Sequence, residues 1–174
     1  MKVRIYKYKT HGVYEWGRGF VSEVIMKDRM IWFGRYEGWL RWLCKGIQAG
    51  DTECIKKSAK LFDMMLPDEC VVIPMPGHLG YATRMADVCG ELFKLNHNRQ
   101  WGECLWCDSH ESNYLQKKKN GTPKPIEMGV TAFYDEIIGD KQKFIIDNVI
   151  ASGVTASAAL EAIPEAMVCA IAKA

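Results

Sequence analysis

Nothing in the sequence reaches toward a membrane. No apolar run approaches the roughly 18 residues of a membrane span, and Met1-Lys2-Val3-Arg4 opens no secretory signal pattern. A disulfide framework is missing too. Seven cysteines, an odd number, lie scattered over 174 residues, which suits a reducing compartment and makes the cytoplasm the expected location. Charge of one sign is not in surplus: 23 basic and 21 acidic residues leave a net +2, which says little about nucleic acid or membrane surfaces. The lone C-x-x-C, Cys104-Leu105-Trp106-Cys107, has no second pair. Tetrahedral zinc would lack half its ligands unless His97 and His110 completed it, so no directly bound metal is expected. What remains is the make-up of a globular domain, 48% apolar and 25% charged, long enough to bury a core.

From Met1 to about Arg35 the chain alternates aromatic, β-branched and charged residues among Gly12, Gly17, Gly19 and Gly34. Strands are expected at 2–9, 20–26 and 29–33, with Lys27-Asp28 as a hairpin turn. The mixture Lys2, Arg4, Tyr6, Lys7, Tyr8 and Lys9 fits a half-exposed strand, and also a nucleic-acid surface. Trp39, Leu40, Trp42, Leu43 and Ile47 recur at helical spacing, a stripe for packing. Asp51 or Thr52 reads as the N-cap of a helix through Leu66, with Ile55, Ala59, Phe62 and Met65 on one side and Pro67 as its stop.

Cys70 to Ile73 reads as a buried strand, followed by the tight turn Pro74-Met75-Pro76-Gly77-His78 and a helix from Tyr81 to Leu95 that carries Met85, Val88, Cys89 and Leu92 at i, i+3, i+4 and i+7. A further strand is expected at 101–106. Residues 108–129 are polar, charged and weakly periodic, long for a connection and therefore functional or disordered. Strands follow at 130–138 and 166–172.

The densest stretch is Lys143 to Ile163. Phe144-Ile145-Ile146 suits a buried parallel strand, with Asp147 and Asn148 where it would end. Ala151-Ser152-Gly153-Val154-Thr155 makes a turn of small and hydroxyl residues, and the alanines beyond it with Leu160 favour a helix. Strand, glycine turn and helix aim backbone N–H groups at one point, which suits a phosphate at the carboxyl edge of a sheet.

This stretch resembles the 5-phosphoribosyl 1-pyrophosphate (PRPP) signature of the type I phosphoribosyltransferases, an apolar strand, two acids, two apolar residues and an x-Thr-Gly-x-Thr loop. Ser152 keeps the hydroxyl; Asn148 stands where the family has Asp or Glu. The Pro-x-Pro-x-His turn at 74–78 is similar, more narrowly, to the phosphoribosyltransferase-like proteins associated with late competence. The resemblance covers about residues 50–174. It implies an α/β fold with a largely parallel central sheet flanked by helices, in one domain of a core from about 51 and a variable N-terminal hood of strands and a helix over about 1–50. By the same resemblance Ala151, Ser152, Gly153, Val154 and Thr155 wrap the 5′-phosphate, and Asp147 with Asn148 serves the ribose. Gly77, His78 and Arg84 meet the pyrophosphate, while Ser112, Tyr114 and Lys117 belong to a mobile loop. Mg²⁺ would be bound mainly through PRPP.

The acceptor stays unassigned, although Ala151, in a position where hypoxanthine-guanine enzymes carry an acid, disfavours a 6-oxopurine. Three readings follow: a phosphoribosyltransferase, a non-catalytic sensor or partner protein binding PRPP or a nucleotide, and a nucleic-acid-associated accessory protein. No membrane partner is expected, and a homodimer is left open.

Overall fold

A computed structural model of the chain describes residues 14–16, 19–21, 25–111, 116, 119, 121, 124–132 and 139–174. The expected strand at 2–9, Ser112, Tyr114 and Lys117, and most of the expected strand at 130–138 lie outside the described residues.

Strands β1 (Tyr14–Trp16) and β2 (Gly19–Val21) form a two-stranded antiparallel ribbon. Strands β3 (Ile25–Lys27) and β4 (Met30–Arg35) pair as a hairpin with Lys27 opposite Met30. Its two-residue turn is Asp28-Arg29, one position later than expected. Both residues have positive φ, 50° and 62°, the hand that matches the twist of the flanking strands.

Helix α1 (Gly38–Ala49) buries Leu43, Cys44 and Ile47 and ends at Gly50, whose left-handed φ of 78° lets its N–H reach back to Gly46 and Ile47. Helix α2 (Thr52–Met65) begins at Asp51, where Oδ1 accepts the Cys54 N–H at 2.8 Å; such a cap contributes about 1 kcal/mol. Next come β5 (Val71–Pro74), α3 (Thr83–Leu95) and β6 (Gln100–Trp101). Arg99, almost fully buried, binds the end of α2 through Asp63, Leu66 and Pro67. Strands β7 (Leu105–Cys107) and β8 (Met128–Val130) pair antiparallel, and β9 (Lys143–Ile150), α4 (Val154–Ala162) and β10 (Met167–Lys173) complete the chain.

The central six-stranded sheet has the order β3-β4-β10-β9-β5-β6. All neighbours are parallel except the β3–β4 hairpin at one edge. Alternation sorts the side chains between two cores. Phe144, Ile146, Cys169 and Ile171 face α1, α2 and α3, whereas Ile145, Val168 and Ala170 face α4 and Leu105 of β7. A fully buried Leu, Ile or Phe contributes at most about 1.5–3 kcal/mol. The mostly parallel sheet flanked by helices is thus present.

Three details differ from the sequence reading. Part of the region expected as a hood belongs to the central sheet: β4 pairs with β10 over Met30–Arg35, and its apolar Trp32 and Phe33 are buried there. The strand expected at 101–106 is split, since Gly102 and Glu103 break the run and β7 leaves for a separate ribbon with β8. That ribbon also removes Val130 from the parallel sheet. Among the described residues no helix is long and apolar enough to cross a membrane.

Candidate functional site

The sheet opens between β5 and β9. The β5 ladder ends with Pro74 opposite Ile146, and the Met75 N–H makes a last bond to the Ile146 carbonyl at 2.9 Å. Beyond it β9 runs on, paired with β10 through Ile150 opposite Lys173. From β5 the chain leaves through α3 to β6 on one side; from β9 it leaves through α4 to β10 on the other. Neighbouring strands whose connections part in this way create a crevice at their carboxyl ends. A cleft of about 1080 Å³ lies there, bounded by the ends of β5 and β9, the starts of α3 and α4, and one face of α1.

Asp147 and Asn148 both line this cleft. They lie within β9 rather than at its end, because Val149 and Ile150 keep their partners Ala172 and Lys173. Consecutive strand residues project to opposite faces, so the two meet the cleft from different sides of β9. Burial pushes the Asp147 carboxyl up to about 6, opposed by backbone N–H groups of Asn148 and Val149; the Asn148 bond is 2.7 Å. Cys44 of α1 donates its S–H to the Asn148 carbonyl at 3.1 Å. That thiol is itself driven upward by burial and then by the Asp147 charge.

The loop after β9 turns on Gly153, which has φ 85° and ψ −8° and caps α4. A side chain would be strained there by φ alone, since a Cβ would meet nothing within 4 Å. Ala151, Ser152, Gly153 and Thr155 line the cleft; Val154 does not. The Ser152 hydroxyl lies 3.4 Å from the Val154 N–H. The start of α4 therefore faces the cleft, where the first N–H groups of a helix lack intrahelical acceptors and its dipole favours an anion.

Opposite stands the loop after β5. The Gly77 N–H, expected to face an oxyanion, donates to the Tyr81 carbonyl at 2.9 Å, and the Gly80 N–H returns to the Gly77 carbonyl at 2.9 Å. Gly80 has φ 96°, and a Cβ there would lie 2.6 Å from the Cys107 carbonyl oxygen. The His78 carbonyl accepts the His110 N–H at 2.9 Å. This loop is thus fixed by its own backbone and by β7, leaving side chains to meet a ligand. His78 and Arg84 both line the cleft. Arg84 is half exposed, lies 3.5 Å from Asp87, and rests its guanidinium against Gly50.

One wall was not foreseen. Tyr36, and Arg41, Lys45 and Gln48 of α1, also line the cleft. Of the apolar stripe, Trp39, Leu40, Leu43 and Ile47 mark the packed side of α1 while Trp42 is left exposed; the polar positions at i, i+4 and i+7 carried a second signal, a shared opposite face. The C-x-x-C belongs elsewhere: Cys104 is in the core and the Cys107 thiol donates to the Gly77 carbonyl at 3.6 Å. Among the described residues no group of three or more His, Cys, Asp or Glu could hold a metal ion. Buried Gln116 ties the Glu111 carbonyl to the Lys124 N–H, at 2.7 and 2.8 Å. No protein-family model matches the chain, and no curated protein matches it.

Proposed function

We propose that the cleft binds PRPP and transfers its phosphoribosyl group to an acceptor. One observation carries this reading: a left-handed glycine turn opens α4 directly after Asp147, Asn148 and two apolar residues, inside the crevice where the sheet's connections part. The 5′-phosphate sits against residues 151–155, the ribose beside Asp147, and the pyrophosphate toward His78 and Arg84. The acceptor atom forms a bond to C1 as the bond from C1 to the pyrophosphate oxygen breaks, and pyrophosphate leaves with the electron pair. Asp147 orients the ribose hydroxyls and places negative charge near the carbon that becomes oxocarbenium-like. The Asn148 amide orients but adds no charge.

Among the described residues Asp147 is the single side-chain carboxylate lining the cleft, a donor set that fits a Mg²⁺ ion held mainly by phosphate oxygens. When bound, that ion neutralises the leaving pyrophosphate.

Asn148 also favours a second reading, in which the chain binds PRPP or a nucleotide as a sensor without turnover. Calorimetry with PRPP, with and without Mg²⁺, tests the site; pyrophosphate release across a panel of bases separates enzyme from sensor. Gly153→Trp fills the mouth of the phosphate loop and should abolish PRPP binding. Unchanged affinity in that variant overturns the assignment. A chain that binds no PRPP leaves the nucleic-acid accessory reading.

A further inference from the structure

The cleft is roomier than a phosphoribosyl group requires. Its volume among the described residues, about 1080 Å³, stands at the upper end of the roughly 300–1,000 Å³ usual for a small-molecule site. The phosphate loop, Asp147 and Arg84 account for the sides built by β9 and β5. What they leave is the wall made by α1.

That wall is cationic. Arg41 and Lys45 project one turn apart from the exposed face of α1, whose other face packs Leu43, Cys44 and Ile47 into the core. Neither makes an ion pair among the described residues. The Arg41 guanidinium lies 5.9 Å from the centre of the Tyr36 ring, and the Tyr36 N–H is fixed by the Lys173 carbonyl at 2.8 Å. Arg41 thus belongs to the end of α1 beside β4 and β10, whereas Arg84 rests on Gly50 at the opposite end. From residue 41 to the helix end the axis advances by about 12 Å. The two arginines therefore stand toward opposite ends of α1, with Lys45 between them.

We infer that Arg41 and Lys45, with the Tyr36 ring beside them, form the subsite for an anionic group on the acceptor, so that the acceptor is a ring bearing a carboxylate or phosphate. This rests on the phosphoribosyl reading of the same cleft. Two exposed cations aimed at a shared cavity hold an oxyanion by charge-assisted hydrogen bonds, and a neutral ring gains none of these. The same chemistry would suit the pyrophosphate of PRPP, which a test must separate.

The test uses paired probes that differ by one carboxylate, orotate against uracil and nicotinate against nicotinamide. Their binding to the full chain is measured by calorimetry with and without PRPP, in wild type and in Arg41→Gln/Lys45→Gln. The expected result is a preference of about tenfold or more for the anionic member of at least one pair. In the double variant that preference falls below about threefold while PRPP affinity stays within about threefold. Equal binding within both pairs of wild type overturns the inference, as does a preference that survives the double substitution. Loss of PRPP binding with the preference intact assigns these cations to pyrophosphate and also overturns it. Wild type that ignores PRPP yet keeps a preference removed by the double substitution sinks the PRPP reading and leaves the anion subsite standing. Should the double variant fold poorly, Lys45→Gln alone, at an exposed position, reads the same preference.

Discussion

Asp147→Asn should make the protein more stable while disabling it, and the gain should depend on pH. Burial moves the Asp147 carboxyl from 3.8 to about 6. Between those values the native state holds a proton that the unfolded chain has lost, so stability falls as pH rises through this window and is level above it. At 1.36 kcal/mol per pH unit the loss is at most about 3 kcal/mol. The side chain is only partly buried in the open cleft, so screening reduces the figure to roughly 1–3 kcal/mol. Asparagine has nearly the same shape, still accepts the Asn148 N–H through Oδ1, and cannot ionise. Urea unfolding of both proteins without ligand, at pH 4.5, 6 and 7.5, reads the difference. The variant should gain about a third of the full difference at pH 4.5 and roughly 1–3 kcal/mol at pH 7.5, or roughly 3–10 °C in Tm for a chain of this size. The same variant should lose PRPP binding or turnover, the usual trade of stability for a functional charge. A variant less stable than wild type at pH 7.5, or a gap that does not change with pH, would refute the reasoning.

Other outcomes follow from the same geometry. Asn148→Asp, nearly equal in volume, should raise phosphoribosyl transfer by an order of 10² if the missing charge limits the rate. Wild type active and the variant no faster, measured by pyrophosphate release, would show the position to be dispensable. Arg99→Met should cost roughly 2–4 kcal/mol by chemical denaturation, since the Leu66 and Pro67 carbonyls lose their donor, at 2.9 and 2.8 Å, in a buried setting. All seven thiols are buried, unpaired and raised by desolvation. They should react slowly with a thiol reagent in the native protein and all together on unfolding, as thiolate is the reactive form. Fast labelling of one native cysteine would contradict that burial.

The sequence by itself determined the local pieces. The period of Met85, Val88, Cys89 and Leu92 placed α3, and Asp51 and Pro67 bounded α2, because caps and breakers act over a few residues. The run Phe144 to Ile146 was legible as buried strand, and Gly153 as a turn residue, since both depend on side-chain size and backbone freedom alone. The glycine turn at 151–155 of the candidate site was therefore visible before the fold. Which strands neighbour one another was not. The place of β10 against β4 depends on contacts across more than a hundred residues, and the loss of β7 and β8 to their own ribbon on the pairing of Leu105 with Val130; no local pattern encodes either. Tertiary structure alone carried Asp147 into a desolvated cleft, committed the Gly77 N–H to Tyr81, and brought Arg41 and Lys45 of α1 to the wall of that cleft. Along the chain nothing sets those residues apart from any other polar helix positions; the sheet's order, by fixing where α1 lies, gave them a cavity to line.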